Sequence, residues 1–387
     1  MDVKKLANKT RLISHGTHGG EIYRNPVLPT PDEIIDFSTN INELVPPEIL
    51  QHAMLDATKQ ILQYPDSNSS DLKQELVRYF RNTLTAENFI VGAGSMELIT
   101  IFCDMFIAPG DEVIIPHPTF SEYEWAVRRN GGNIKTIIRR ESRDFRIEMD
   151  EIIQAFTPKT KVIFLCNPNN PNGLLDSPSN LKGIISTALK REILVFLDET
   201  FIEFTGEQNS FASQILQFEN LFVCRTFTKF FGVPGLRVGF GVGRPEMLDI
   251  LRQGQNLWSV NCVGQAVARQ LLRDSESIKK IIPLIEDERH YLVTKLKAIP
   301  GIKVYPSNAN YLLLNLQSLG IPGRELKQSL LAKGVLIRDC ANYPGLNEFY
   351  VRIAIKTRYK NSRFLDILQK IADKGDNSAS QRDNNSE

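Results

Sequence analysis

Apolar and polar positions along the 387-residue chain change period several times. Up to about residue 45 there is little period and many turn signals, among them Gly16, the Gly19-Gly20 pair, Pro26, Pro29 and Pro31, followed by Pro46-Pro47. Residues that fix or free φ punctuate regular structure, so this stretch predicts an arm laid over the remainder of the protein. From Ser70 the pattern turns helical: Leu72, Leu76, Tyr79 and Phe80 share one face, with Ser70 as cap and Asp71 and Glu75 in the early turns. Between residues 88 and 243 short apolar runs alternate with helical segments: Phe89-Ile-Val, Val113-Ile-Ile, Val162-Ile-Phe-Leu, Leu194-Val-Phe-Leu, Leu221-Phe-Val and Val238-Gly-Phe. Runs of that length, each ending in a polar or Gly/Pro-rich loop, predict the strands of an α/β domain with a mostly parallel sheet. Ligands of such sheets bind at the carboxyl ends of the strands, which directs attention to the polar residues just after each run.

After about residue 265 the texture shifts to charged helices, Ile278 to Ala298 and Arg324 to Lys333, interleaved with Asn310-Tyr-Leu-Leu-Leu-Asn and Val351-Arg-Ile-Ala-Ile. The expected organisation is an arm over 1–45 that contributes to a small domain and the active site, a large α/β domain over 46–265, and a small α+β domain over 266–372. The Asn/Ser/Asp-rich stretch 373–387 predicts a disordered tail. A soft prior of about 150 residues per domain agrees with two or three units.

Composition removes several functions. Forty-six basic against 45 acidic side chains leave a net charge of +1, which gives no broad electrostatic footprint for nucleic acid or an anionic membrane. Cys103, Cys166, Cys224, Cys262 and Cys340 stand at least 38 residues apart, so they form no CxxC pair or metal-finger spacing, and no metal is expected. The start, Met1-Asp-Val-Lys-Lys, lacks the apolar core of a signal peptide, and no run approaches the roughly 18 apolar residues of a membrane span. A cytoplasmic enzyme acting on a small molecule is the default expectation.

The chemistry concentrates in Thr226-Phe-Thr-Lys229-Phe-Phe-Gly-Val-Pro-Gly-Leu-Arg237-Val-Gly, which puts a lysine, two hydroxyls (Thr226 and Thr228) and an arginine in the loop after a buried strand. A lone lysine would be a solvated surface residue. Among donors suited to a phosphate it fits an enzyme whose amine bonds covalently to a cofactor anchored by its phosphate. Here the sequence resembles the fold-type I, aspartate aminotransferase-like family of pyridoxal-phosphate enzymes, over about residues 36 to 370.

Four further segments fall in that family's order. Gly92-Ala-Gly94-Ser95-Met96-Glu97 is a strand-to-helix turn whose amides would hold the cofactor phosphate. In Pro118-Thr-Phe120-Ser-Glu-Tyr the family places an aromatic ring against the pyridine face. In Cys166-Asn-Pro-Asn-Asn170-Pro-Asn-Gly173, Asn170 matches the residue that bonds the cofactor's 3′-oxygen. In Phe196-Leu-Asp198-Glu-Thr-Phe201, Asp198 matches the partner that keeps the pyridine nitrogen protonated. The resemblance implies pyridoxal 5′-phosphate as cofactor and Lys229 as the catalytic amine. It also implies a large domain with a mostly parallel, mixed seven-stranded sheet and a smaller α+β C-terminal domain. Phe201 departs from the pattern: most aminotransferases of this type have tyrosine there, which weakens the expectation of an ordinary aminotransferase.

His18-Gly19-Gly20, Asp36-Phe-Ser-Thr-Asn40-Ile-Asn42 and Ile337-Arg338-Asp-Cys together resemble the threonine-phosphate decarboxylases that make the aminopropanol phosphate of the cobamide nucleotide loop. That resemblance implies a carboxy-lyase in cobalamin biosynthesis, with His18, Gly19, Asn40, Asn170, Arg338 and Arg352 contacting substrate. Guanidinium forks suit the two anions of a phospho-amino acid. Phosphothreonine and phosphoserine differ by one methyl, about 1–3 kcal/mol in a pocket, and both stand as candidate substrates. Tyr64 matches a tyrosine that reaches the cofactor phosphate of the neighbouring subunit, implying a homodimer. The nearest rival is a histidinol-phosphate aminotransferase, which shares fold, cofactor and a phosphate-bearing substrate. A non-catalytic cofactor-binding regulator is the remote one, lacking a helix-turn-helix before residue 45.

Overall fold

The computed structural model describes residues 13–20 and 34–383. Residues 1–12, 21–33 and 384–387 lie outside the described residues, and with them Pro26, Pro29 and Pro31 of the expected arm.

After a short strand β1 (Ile35–Asp36), the strands β2 (Phe89–Gly92), β3 (Glu112–His117), β4 (Asn133–Ile138), β5 (Thr160–Cys166), β6 (Leu194–Asp198), β7 (Leu221–Thr226) and β8 (Gly239–Val242) follow in the chain. The last seven form one sheet in the order β2-β8-β7-β6-β5-β3-β4, parallel except for β8, which runs antiparallel to both neighbours. The six apolar runs of the sequence are six of these strands. They read as continuous apolar runs because both faces of a parallel sheet are covered. Ile163, Leu165, Val195, Leu197 and Val223 enter one core; Phe164, Phe196, Phe222 and Cys224 alternate into the other, where their rings meet Phe102. The seventh, β4, is a half-exposed edge whose Asn133-Ile-Lys-Thr alternation carries no such run.

Helices α1 (Pro47–Thr58) and α2 (Ser70–Tyr79) pack against the helix Cys262–Arg273, so the expected boundary at residue 265 falls inside a helix. Ser70 is the first helical residue of α2 rather than its cap. Asp66 satisfies the helix start instead, its carboxylate accepting from the Ser70 amide at 2.7 Å. The small domain is built on β9 (Lys303–Val304), β10 (Tyr311–Asn315), β11 (Val335–Leu336), β12 (Arg338–Asp339) and β13 (Tyr350–Ala354). Four of them form an antiparallel sheet in the order β12-β13-β10-β9, while β11 pairs in parallel with β1. The last described element is a helix, Arg358–Asp383, that carries helical backbone ten residues past the expected start of disorder. Propagation costs little once Phe364, Leu368 and Ala372 have packed the preceding turns.

Candidate active site

The carboxyl ends of β5, β6 and β7 open into a cavity of about 800 Å³, lined on the far side by residues of the 15–20 stretch and by Arg338 and Arg352. Sixteen of the residues singled out from the sequence fall in or beside it: His18, Gly19, Asn40, Gly94, Ser95, Met96, Phe120, Asn170, Asp198, Phe201, Thr226, Thr228, Lys229, Arg237, Arg338 and Arg352. Tyr64 does not. It is 78 % exposed and stacks on Trp258 at 4.4 Å, on the outer surface.

One end of the cavity is an anion cradle. Helix α3 (Ser95–Phe106) begins there, and its first turn has backbone amides with no intrahelical acceptor. Gly94 precedes it at φ +80°, and a Cβ at that position would lie 2.7 Å from Arg237 Nη2. The Thr226 hydroxyl donates to that of Thr228 at 2.8 Å beside them.

Asp198 is buried at the end of β6. One carboxylate oxygen accepts from the Tyr123 hydroxyl at 2.6 Å and the other from the Thr200 amide at 2.8 Å, and among the described residues it makes no ion pair. Burial raises its pKa, and these donors and Lys229 offset that only in part. Lys229 stands half-buried beside it. Desolvation, then the charges of Arg352 and Arg237, push its amine down to about 8. Phe201 fills the place of the family's tyrosine, edge-on to Tyr311 at 4.9 Å, with the lysine nitrogen 6.0 Å from its ring centre.

At the substrate side, Arg352 donates to Asn170 Oδ1 at 2.5 Å and to the Ser38 carbonyl at 2.8 Å. Among the described residues its Nε is buried without a hydrogen-bond partner, as is Asn40 Oδ1. Arg338 is largely engaged by protein, donating to the carbonyls of Thr17 and Asp339 and to Asn342 Oδ1. The arm is clamped by Glu122, the first residue of α4 (Glu122–Arg129). Its carboxylate accepts from the Gly16 amide at 3.0 Å and pairs with His18 at 2.7 Å and His15 at 2.5 Å. Burial opposes ionisation of Glu122, yet the two imidazoles hold its carboxyl below the usual range. Gly19 lies against the Ser38 carbonyl, where a Cβ would come within 2.2 Å.

The donor set fits pyridoxal phosphate: a cradle of amides, hydroxyls and guanidinium for the phosphate, a buried unpaired carboxylate for a ring cation, and an amine whose lowered pKa frees more of it for an aldehyde than an ordinary lysine offers. Sequence reading missed Tyr123, Glu122, His15 and Tyr343, which line or support the cavity. Tyr123 and Glu122 stand inside the quoted Pro118-to-Tyr123 string, and their partners are 75 and 104 to 107 positions away in the chain.

The profile of the family described as aminotransferase class I and II matches residues 32–368. The histidinol-phosphate aminotransferase of Methanocaldococcus jannaschii is 34 % identical over 342 residues, covering 88 % of this chain and 90 % of that one. Among solved structures, the histidinol-phosphate aminotransferase of Clostridium acetobutylicum superposes with a TM-score of 0.81 at 30 % identity, covering 87 % of this chain and 99 % of that one. The L-threonine-O-3-phosphate decarboxylase of Porphyromonas gingivalis reaches 0.77 at 25 % identity, with the same coverages.

These likenesses overturn the expectation of a decarboxylase, of a lyase class and of a place in cobalamin biosynthesis. The physical reason lies in what the three short segments do. The His18-Gly19-Gly20 stretch and Arg338 bond here to Glu122, Ser38 and Thr17, contacts that are compatible with either reaction and so do not by themselves say which substrate bond is broken. Phe201, taken as evidence against an aminotransferase, packs on Tyr311 and leaves the lysine and the carboxylate in place.

Proposed function

We infer, because the chain belongs to the aminotransferase class I and II family and uses pyridoxal 5′-phosphate, that it is a histidinol-phosphate aminotransferase. What carries this reading is the whole-chain likeness to proteins of that name, set on a pocket that joins one half-buried lysine to a cradle for oxyanions.

The cofactor, when bound, supplies an aldehyde for amines and a protonated ring that draws electrons from the bonds of the amine-bearing carbon. The residues of the chain do the remainder. Ser95, Met96, Thr226, Thr228 and Arg237, with the backbone at Gly94, would hold its phosphate. Asp198, oriented by Tyr123 and Thr200, would keep the ring nitrogen protonated, Asn170 would bond the 3′-oxygen, and Phe120 would pack against the ring. Lys229 is the amine that would hold the aldehyde, and its nitrogen is the group that would carry a proton to and from the substrate carbon.

Which bond reacts depends on which one stands perpendicular to the ring plane. Transfer of the amino group requires the C–H bond there, and Arg352 and Arg338 are the cations that would fix that pose through the substrate's anions. His18, Gly19 and Asn40 are the remaining proposed substrate contacts.

We further propose a homodimer. Met54, Leu55, Ile61, Leu62 and Tyr64 are exposed on and after α1, and the Tyr64–Trp258 stack joins them to Leu257. A patch of that kind marks an interaction surface, and a second copy seated on it would receive Tyr64. The test of the function is amino transfer from histidinol phosphate to 2-oxoglutarate by the purified protein. Formation of glutamate supports the reading, and its absence under saturating cofactor rejects it.

A further inference from the structure

Behind Asp198 and Thr226 at the cavity's strand ends, their chain neighbours form a largely buried charged cluster with no assigned role. Side chains alternate along a strand, so Asp198 and Thr226 face the pocket while their chain neighbours Glu199 and Arg225 face the other core. Arg225 has no exposed side-chain surface, and its guanidinium is fully committed. Nε donates to Glu199 at 3.1 Å, the two terminal nitrogens form a fork on Glu207 at 2.9 Å each, and one of them also reaches Ser210. Glu203 stands 3.5 Å away, and among the described residues neither of its oxygens has a hydrogen-bond partner.

We propose that Arg225 is a positioning residue for the cofactor site: one guanidinium ties Glu199, Glu203 and Glu207 and thereby sets the stretch 198–207 and the phosphate cradle together. Two contacts transmit its position. Glu199, Thr200 and Phe201 follow Asp198 without a break, so fixing Glu199 and Glu203 fixes the pocket wall between them. On the other side, a Cβ on Gly239 would lie 2.9 Å from the Arg225 carbonyl, from the Gly94 carbonyl carbon and from the Ser95 nitrogen, so the Arg225 backbone and the phosphate turn are packed on the same point.

Glu199 and Glu203 are buried around one cation while Glu207 reaches the rim, so burial opposes a third full charge in the cluster. The odd proton resides on Glu203, which burial pushes up to about 8 against the pull of Arg225, helped by Glu207 and Glu199. The other polar groups facing the cluster are Tyr79, whose hydroxyl donates to Glu207, and Lys279, whose ammonium lies 5.2 Å from the Tyr79 ring centre. Between the ordinary 4.5 and about 8 the unfolded chain has released this proton and the folded one has not. Stability therefore falls as pH rises through that window and levels off above it.

The test measures cofactor binding to the apo-protein without substrate, so its outcome is separate from the choice of amino donor above. Arg225→Lys keeps the charge and loses the fork. It should raise the dissociation constant for pyridoxal phosphate about tenfold at temperatures well below melting, where a purely structural role would leave binding intact. Folded Arg225→Lys with unchanged affinity overturns the proposal. Should that variant not fold, Glu207→Gln at the rim decides: a dissociation constant raised about threefold supports the coupling, and an unchanged one refutes it. In parallel, Glu203→Gln should flatten the decline of apo-protein melting temperature between pH 5 and 8, and a decline as steep as in the parent chain refutes the shared proton.

Discussion

Lys229 is an unusual lysine because three effects act on it at once. Burial removes water from its ammonium, Arg352 and Arg237 add repulsion, and Asp198 and Asp36 only partly offset them. With an amine at about 8, roughly a tenth is neutral at pH 7, against well under a hundredth for a solvated lysine. Capture of the aldehyde needs the neutral amine, so the rate at which apo-protein takes up the cofactor should climb about tenfold per pH unit below 8 and level above it. Stopped-flow absorbance checks this; a rate still climbing at pH 10 would mark an ordinary lysine. Lys229→Ala should lose the visible absorbance of the holoenzyme, and a retained band would assign the aldehyde to another amine. The same residue scale shows what short strings can and cannot carry. Lys229, Asp198 and Asn170 each follow a strand, and their chemistry travels with their neighbours. Glu122 and Tyr123 acquire meaning only from His15, His18 and Asp198, brought to them by folding.

At the scale of elements, the turn from β2 into α3 is the least forgiving. Gly94 has φ +80° and ψ 172°, a region almost closed to residues with a Cβ, and Arg237 occupies the space such a carbon would need. Gly94→Ala should cost about 1–3 kcal/mol in stability and weaken cofactor binding about tenfold, read by thermal melting and by titration with pyridoxal phosphate. A variant that binds as tightly as the parent would remove this turn from the phosphate site. The central strands announce themselves in sequence because both faces are covered. The edge strand β4 and the two-residue strands of the small domain do not, since their pairing is set by neighbours remote in the chain, as when β1 reaches β11 three hundred residues on.

For the whole molecule, the exposed apolar residues around Leu62 and Trp258 are costly to leave in water. Light scattering should give a mass of about twice 43.8 kDa, and Leu62→Glu combined with Trp258→Glu should yield monomers that lose cofactor on dilution. A parent chain that runs as a monomer at micromolar concentration would contradict the dimer. The choice of reaction is also a property of the whole chain. Motifs of three or four residues sufficed for the cofactor but pointed to the wrong bond, because the pose of the substrate is set by the arm, both arginines and the pocket wall acting together.

The most direct measurement supplies the holoenzyme with histidinol phosphate and 2-oxoglutarate in one vessel and with phosphothreonine alone in another, following glutamate and carbon dioxide in both. Glutamate in the first and no carbon dioxide in the second is the predicted result; carbon dioxide from phosphothreonine with no glutamate from histidinol phosphate would contradict it.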